Sequence, residues 1–407
     1  MSVPPDATST RDSRIEGHLP VLDGIRGIAI LAVIIVHVPG FEVYGPVERL
    51  VQLGMMFGWA GVDLFFVLSG FLITGILLQA RGGPGYYRTF YVRRTLRIFP
   101  LFYGYCAVLF LVLPFWRGLG TPGSAELTAA APWYLTYMMN VRVALANGWT
   151  GASVAGTAFF WSLCVEEQFY LIWPATVARL GLDGLARLCL VLVVVALLWR
   201  VAMVRSGHMF AAYVLLPSRM DGLAIGAWLA IVARQPGGLD RLAARAPYAG
   251  AGALACLAVI VARSGYAGWD GAWMVTLGIT CTAITSAALL ISVVAHQRSL
   301  AHRAVASRAL RFFGRYAYGM YVLGGIAAVL LAVTPLVGLV PARAFGSALP
   351  HLFWELALQL ATTTVLALLS WTILERPALA LKRYFPYAPR HTMAARSGQT
   401  ASPLSTP

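Results

Sequence analysis

The chain has 407 residues, of which 59% are hydrophobic and only 12% are charged, and its mean hydropathy is +0.73. Soluble globular proteins are about one quarter charged, so this composition excludes an ordinary soluble enzyme. The formal net charge of +15 would by itself suit a nucleic-acid-binding protein, and its distribution along the chain decides between that class and a membrane protein.

About ten apolar runs follow one another, each of roughly 17–24 residues, the length at which an α-helix crosses ~30 Å of hydrocarbon. A membrane β-barrel would instead show alternating segments of about ten residues. We therefore predict an all-α integral membrane protein. The predicted spans are residues 21–38, 56–79, 98–116, 159–178, 185–204, 210–233, 247–263, 272–295, 316–337 and 352–374.

The basic residues alternate between the two sides of these spans. With the N-terminus in the cytoplasm, the inner connections and tails hold 22 of the 31 Lys and Arg residues, the outer connections hold six, and three lie within spans. Such an excess on one side is typical of cytoplasmic loops. The charge therefore indicates topology and lipid contact rather than a nucleic-acid partner, and both termini are predicted to be cytoplasmic. Basic residues that are nearly all arginine, with much Ala, Gly and Val, favour a bacterial source and thus the bacterial cytoplasmic (inner) membrane.

Three regions follow: an N-terminal tail (1–20), a membrane domain (21–380) and a C-terminal tail (381–407) that we expect to be disordered beyond about residue 385. The polar N-terminus, with no cleavage site after the first apolar run, does not resemble a signal peptide. The outer connection 117–158 carries PWYLTYMMN at 132–140, which suits an interfacial or re-entrant helix and a place to meet an acceptor. The five scattered cysteines indicate neither a disulfide framework nor a zinc site, and we predict no bound metal.

The first span contains LDGIRGIAILAVIIVH at 22–37, in which Asp23, Arg26 and His37 interrupt an apolar run. Ionisable groups inside a membrane are rare and mark functional sites. Arg26 and His37 are eleven residues apart, about three helical turns, so they share a face. Asp23 and Arg26 are three apart and can pair locally. A purely structural role for His37, in a hydrogen bond to a neighbouring helix, is the alternative.

The second span contains GVDLFFVLSGFLIT at 61–74. Ser69 and Gly70 are small enough to favour close helix packing. Asp63 needs a partner inside the membrane, and Arg26 and His37 are the candidates.

Arginines cluster at the start of the third span, in RRTLRIFPLFY at 93–103. Arg93, Arg94 and Arg97 lie three and four residues apart and so share one side of a helix. Guanidinium groups bind phosphates through paired hydrogen bonds, so a phosphate-rich cytosolic ligand fits, with ordinary cytoplasmic anchoring as the alternative.

The fourth span begins FFWSLCVEEQFYLIWP at 159–174. Glu166 and Glu167 point about 100° apart on a helix, so at least one must face a polar interior, as a partner for His37 or for a substrate hydroxyl. Farther along, SRMDGLAIGAW at 218–228 adds Arg219 and Asp221, which we also expect to line that interior. Together with Ser69 and Trp161, these two residues are predicted to contribute to substrate binding.

In this order the motifs resemble the acyltransferase-3 family of integral membrane O-acyltransferases, whose members acylate lipopolysaccharide O-antigen, peptidoglycan, exopolysaccharides, nodulation factors and macrolides. The resemblance covers about residues 20–380. The motifs that carry it are LDGIRGIAILAVIIVH, GVDLFFVLSGFLIT, RRTLRIFP, WSLCVEEQFYLIWP, SRMDGLAIGAW, YAYGMYVLG (316–324) and LERP (374–377).

The resemblance implies that His37 is the essential histidine, that Arg26 accompanies it, and that Arg93, Arg94 and Arg97 hold the acyl donor. Glu166 and Glu167 match the family's glutamate pair, and Cys164 stands where a small residue is common. The chain has no segment matching the hydrolase-like domain of many glycan-modifying relatives, so we expect a stand-alone transferase.

The resulting hypothesis is O-acyl transfer, with acyl-CoA (acetyl-CoA) as co-substrate and no tightly bound cofactor. His37 takes the proton of the acceptor hydroxyl, and Asp63, Glu166 or Glu167 orients its ring. Arg26 stabilises the oxyanion or helps to hold the donor, and an acyl-histidine intermediate is the alternative route. A cell-envelope glycan or glycolipid is the first acceptor class, and a secreted polyketide such as a macrolide is the second. A secondary transporter would show internal repeats and broken helices, which the sequence lacks, and a lipid-binding scaffold would leave the polar face of the first span unexplained.

Overall fold

A computed structural model describes residues 13–15, 17, 19–38, 40–112, 124–149, 157 and 159–387. Within these ranges the chain is helical and forms no named strand, as predicted for an all-α protein. The disorder expected for the C-terminal tail falls mostly outside the described residues. The α-helices are α1 (Pro20–Val36), α2 (Pro46–Met56), α3 (Ala60–Ala80), α4 (Tyr86–Ala107), α5 (Ser124–Leu135), α6 (Met139–Ala146), α7 (Phe160–Arg179), α8 (Leu182–Arg205), α9 (Met209–Val214), α10 (Leu216–Val232), α11 (Gly238–Ser264), α12 (Ile279–Ala295), α13 (Leu300–Val305), α14 (Arg308–Ala332), α15 (Leu349–Ser370) and α16 (Arg376–Ala380).

Among the described residues, eight helical stretches are long and apolar enough to cross a membrane. Seven of them contain α4, α8, α10, α11, α12, α14 and α15, and the eighth joins α2 to α3. The two remaining predicted spans correspond to α1, with 17 residues, and α7, with 20, and neither belongs to the eight. The protein is thus a multi-pass membrane protein, while the count of ten spans and the cytoplasmic termini stay predictions.

Several helices extend beyond the apolar runs from which they were predicted. Helix α4 begins at Tyr86, twelve residues before its predicted span, and α14 begins at Arg308, eight before its own. Both extensions are arginine-rich, and arginine is a good helix former. A hydropathy pattern finds the apolar part of a helix and misses a basic continuation outside the hydrocarbon.

The outer motif PWYLTYMMN forms no single helix. It comprises the end of α5, a turn in which Tyr137 has a positive φ of 56°, and the start of α6.

Helix α1, which carries Asp23 and Arg26 and directly precedes His37, packs against α3 and α14. Its approach to α14 requires a residue without a side chain, since a Cβ atom on Gly314 would lie 1.6 Å from the carbonyl oxygen of Asp23. Small residues of this kind allow helix backbones to touch inside a membrane.

Helices α3 and α10 meet through a reciprocal pair of glycines. A Cβ atom on Gly70 would lie 2.0 Å from the Leu223 carbonyl oxygen, and one on Gly226 would lie 2.0 Å from the Val67 carbonyl oxygen. Gly70 therefore serves helix packing, as its small size predicted, whereas the neighbouring Ser69 points elsewhere.

Two buried ion pairs join α3, α8, α10 and α12. Arg219 donates to Asp63 at 2.6 Å, and Arg200 lies 2.8 Å from Asp221. Thr282 donates at 2.8 Å to Oδ2 of Asp63, the oxygen that Arg219 does not contact. Thr280 donates at 2.8 Å to Oδ2 of Asp221, the same oxygen that lies beside Arg200. All four charged side chains are essentially inaccessible, so each charge is neutralised where the membrane interior offers no water.

Removing one member of a buried pair should destabilise the protein strongly, because the remaining charge stays buried. We expect Asp63→Ala to lower the free energy of unfolding by about 3–5 kcal/mol, measured by thermal or denaturant unfolding in detergent. Asp240→Ala, which removes the exposed partner of Arg14, is the matched control and should cost at most about 1 kcal/mol. Equal stabilities of the two variants would contradict this assignment.

Candidate active site

His37 follows the last residue of α1 and is exposed at that end of the helix. Its Nδ1 lies 2.6 Å from the Val33 carbonyl oxygen, and Phe159 packs against the imidazole edge-on with ring centroids 5.4 Å apart. A carbonyl oxygen can only accept a hydrogen bond, so Nδ1 carries the proton. In the neutral ring Nε2 is then the unprotonated nitrogen, free to accept a proton from a ligand.

His37 lines a small cavity of about 140 Å³. Helices α1, α14 and α15 and the residue before α7 supply its walls. The lining residues are Ile30, Val33, Ile34, His37, Phe159, Met320, Tyr321, Gly324, Gly325, Ala328 and Gln359. We call this space the His37 cavity.

A second cavity of about 140 Å³, the inner cavity, lies between α1, α3, α4, α7 and α14. Glu166 is its central acidic group and accepts hydrogen bonds from Ser69 at 2.7 Å and from Tyr170 at 3.0 Å. The guanidinium of Arg94 lies 4.6 Å from the centre of the Tyr170 ring. The inner cavity therefore combines a bonded carboxylate with arginines at one end and apolar side chains elsewhere.

The two adjacent glutamates separate as helix geometry predicted. Glu166 lines the inner cavity, whereas Glu167 does not, and the buried Oε1 of Glu167 has no hydrogen-bond partner among the described residues.

A third cavity, the basic chamber, has a volume of about 830 Å³. Its ionisable lining comprises one carboxylate, Asp23, and eight basic side chains: Arg26, Arg93, Arg94, Arg97, Arg308, Arg311, Arg315 and Lys382. One carboxylate cannot neutralise seven arginines, so the chamber attracts anions.

Two of the chamber's arginines are also held by the protein. Arg26 donates to Asp23 at 2.6 Å, which is the local pair that the sequence predicted. Arg93 donates to the carbonyl oxygens of Lys382 and Phe385 and lies over the Tyr387 ring, so it fixes the start of the C-terminal tail against α4.

The three cavities are arranged in series. Arg26, Arg94 and Arg97 line both the basic chamber and the inner cavity. Tyr321 lines both the inner cavity and the His37 cavity. Its hydroxyl donates to the Phe159 carbonyl and lies within hydrogen-bond reach of Ser162. A path from the basic chamber to His37 therefore passes Tyr321.

Besides Glu167, which lines none of the three cavities, four other predicted site residues lie outside them, in the region of the buried ion pairs. Asp63 pairs with Arg219 rather than with Arg26 or His37, since it faces α10 and α12. The rings of Phe66, Trp161 and Tyr213 surround the Arg219 guanidinium at 5.1–5.4 Å. Asp63, Trp161, Arg219 and Asp221 line none of the three cavities, and no described carboxylate hydrogen-bonds to His37.

Sequence reasoning did not single out several cavity residues. Arg308, Arg311 and Arg315 have the same three- and four-residue spacing as the α4 arginines, so the same rule would have found them. Gln359 is a polar residue inside an apolar span, which is itself a signal. No sequence signal distinguished Tyr170 and Tyr321 from the other tyrosines, because tyrosine is common near the ends of membrane helices.

Comparison with known proteins also indicates an acyltransferase. A family model described as "Acyltransferase domain" matches residues 19–376. "Putative peptidoglycan O-acetyltransferase YrhL" of Bacillus subtilis is 29% identical over 382 residues, which cover 88% of this chain and 55% of that protein. "Peptidoglycan O-acetyltransferase OatA" of Listeria monocytogenes is 33% identical over 174 residues, which cover 41% of this chain and 25% of that protein.

"O-acetyltransferase OatA" of Staphylococcus aureus is 31% identical over 176 residues, covering 40% of this chain and 25% of that protein. The chain thus matches about half of the Bacillus protein and a quarter of the other two. No solved structure matches it. Because the family model extends over nearly all of the membrane domain, this chain belongs to the acyltransferase-3 family.

Proposed function

We propose that this protein is a membrane-embedded O-acetyltransferase of the bacterial cytoplasmic membrane. It moves an acetyl group from cytosolic acetyl-CoA to a hydroxyl of a cell-envelope glycan or glycolipid. The observation that carries the proposal is the series of cavities that leads from a chamber with eight basic side chains to His37.

The basic chamber suits the nucleotide end of CoA, whose phosphates are matched by guanidinium groups. The inner cavity is about one sixth of its volume (140 against 830 Å³), so it accepts a thin chain and a short acyl group but not a nucleotide. On this proposal the phosphates stay among the arginines of α4 and α14, and the thioester enters past Arg26, Arg94 and Arg97.

The distance between Arg26 and His37 favours one of the two roles considered for Arg26. Eleven residues of helix separate the two Cα atoms by about 16 Å along the axis, and a guanidinium cannot extend that far. Arg26 is therefore better suited to hold the donor than to stabilise an oxyanion beside His37.

At the other end, His37 acts as general base through Nε2. The acceptor O–H gives its proton to Nε2 while its oxygen forms a bond to the thioester carbonyl carbon. The tetrahedral intermediate then breaks its C–S bond, and the CoA thiolate leaves and takes up the proton. In the alternative route Nε2 itself attacks the thioester carbonyl and the C–S bond breaks to release the CoA thiolate. The acceptor oxygen then attacks the acetyl-histidine, its bond to Nε2 breaks, and the acceptor proton neutralises the thiolate.

The acceptor class is supported by the names of the relatives, two of which refer to peptidoglycan. None of the three relatives named above is described as acting on a polyketide. A glycan or glycolipid at the outer surface is therefore the acceptor that we propose.

Arg311→Ala tests the donor site. We expect the KM for acetyl-CoA to rise about tenfold, because a hydrogen bond between charged groups is lost, while the KM for acetylpantetheine, which lacks the nucleotide, stays unchanged. Initial rates of CoA or pantetheine thiol release measure both. Arg298→Ala, an exposed arginine outside the chamber, is the control. An equal effect of Arg311→Ala on both donors would rule out phosphate binding by this residue.

His37→Gln tests the base. Acetyl transfer should fall by about 10²–10⁴-fold, because general base catalysis is lost, while acetyl-CoA binding by calorimetry should change little. His302→Gln is a closely matched control, since the Nδ1 of His302 also lies 2.6 Å from a backbone carbonyl oxygen and this residue lines none of the three cavities. Full transfer activity of His37→Gln would show that another group is the base.

A further inference from the structure

Helices α14 and α15 form part of the wall of the His37 cavity, and the polar side chains that they contribute are those of Tyr321 and Gln359. Gln359 is 6% exposed. A carboxamide in this environment requires partners for both its donor and its acceptor groups.

The donors of Gln359 have partners. Its Nε2 donates to the Gly324 carbonyl at 2.9 Å and reaches the Thr363 hydroxyl at 3.5 Å. The Gly324 carbonyl can only accept, so the NH2 group must face it, which fixes the orientation of the amide. These bonds explain how α15 is linked to α14.

The side-chain carbonyl oxygen of Gln359, Oε1, has no comparable partner in the described part of the chain. No hydrogen bond to Oε1 occurs among the described residues, although the amide is held in a defined orientation. Gln359 lines the same cavity as His37, so an acceptor oxygen without a partner there is suited to a ligand that carries a donor.

Space for that ligand lies beside Gly324. A Cβ atom built at this residue would meet no atom within 4 Å, and Gly325 and Ala328, two further small residues, also line the cavity. The cavity has a volume of about 140 Å³, and His37 in its lining is exposed, so a ligand can reach the imidazole.

We propose that Gln359 positions the acceptor and contributes to its specificity, an inference that rests on the proposed function. Its Oε1 accepts a hydrogen bond from a second hydroxyl or an amide N–H on the same sugar as the hydroxyl that His37 deprotonates. The acceptor class is thus a polyhydroxylated compound that presents two neighbouring polar groups, rather than a simple alcohol.

Gln359 is separated from the two cavities that we propose for the nucleotide and the arm of the donor. It lines neither the basic chamber nor the inner cavity, and Tyr321 lies at the boundary between the inner cavity and the His37 cavity. A change at Gln359 should therefore affect the acceptor and leave the donor unaffected.

Gln359→Met, which keeps the side-chain length and removes both the acceptor oxygen and the amide donor to Gly324, tests this together with a set of deoxy acceptors. The acceptors are the methyl glycoside of N-acetylglucosamine and its monodeoxy derivatives. We expect kcat/KM for the glycoside to fall about tenfold, with the KM for acetyl-CoA unchanged. In the wild type, one deoxy derivative should be a poorer acceptor by a similar factor, and in Gln359→Met that difference should disappear.

Gly324→Val provides a second, independent variant, because it fills the open space and leaves the backbone carbonyl that Gln359 binds. It should also lower kcat/KM for the glycoside without changing the KM for acetyl-CoA. Thr364→Val is the control on α15, since the Thr364 hydroxyl bonds only to its own helix and lines none of the three cavities.

The outcomes separate the two proposals. If the wild type acetylates the glycoside and Gln359→Met remains sensitive to the same deoxy position, the inference about Gln359 is wrong and the proposed function stands. If the wild type transfers acetyl to none of these acceptors, the proposed glycan acceptor is wrong, and this inference fails with it.

Discussion

The close contact of α1 with α14 is the constraint on which the site depends. The missing side chain of Gly314 allows the two backbones to touch at Asp23, and every cavity in the series has walls from both helices. Asp23 and Arg26 face the α14 arginines at one end, and His37 faces Gly324 at the other. A larger residue at position 314 would push apart the helices that bring the two ends of the path into line.

The protein uses the same residue types for two different purposes. In the ion pairs of α3, α8 and α10, each arginine has a carboxylate partner and the charges cancel, so the pairs carry no surplus charge. In the basic chamber the arginines outnumber the carboxylates, and the resulting positive potential is available to an anion. Surplus charge rather than the mere presence of charge distinguishes the candidate site from the scaffold.

The sequence predicted what depends on local geometry. The spacing of Arg26 and His37 predicted that they share a face, and both line cavities that have walls from α14. The adjacency of Glu166 and Glu167 predicted that they would separate. The sequence could not predict contacts between residues on helices far apart in the chain. Asp63 pairs with Arg219, 156 residues away, because of how α3 and α10 pack. The contributions of Tyr321 and Gln359 likewise depend on which helices enclose a cavity, a relation that no single-helix pattern contains.

The position of Tyr321 has a consequence for the bilayer in which the protein lies. A continuous water-filled passage from one surface to the other would conduct protons and small ions and would discharge the membrane potential. In this structure the Tyr321 hydroxyl is bound to the Phe159 carbonyl and lies beside Ser162, and the Tyr321 side chain lines both the inner cavity and the His37 cavity. On the proposed function this side chain moves aside when the thioester passes, and between reaction cycles it would limit ion leakage along the same path.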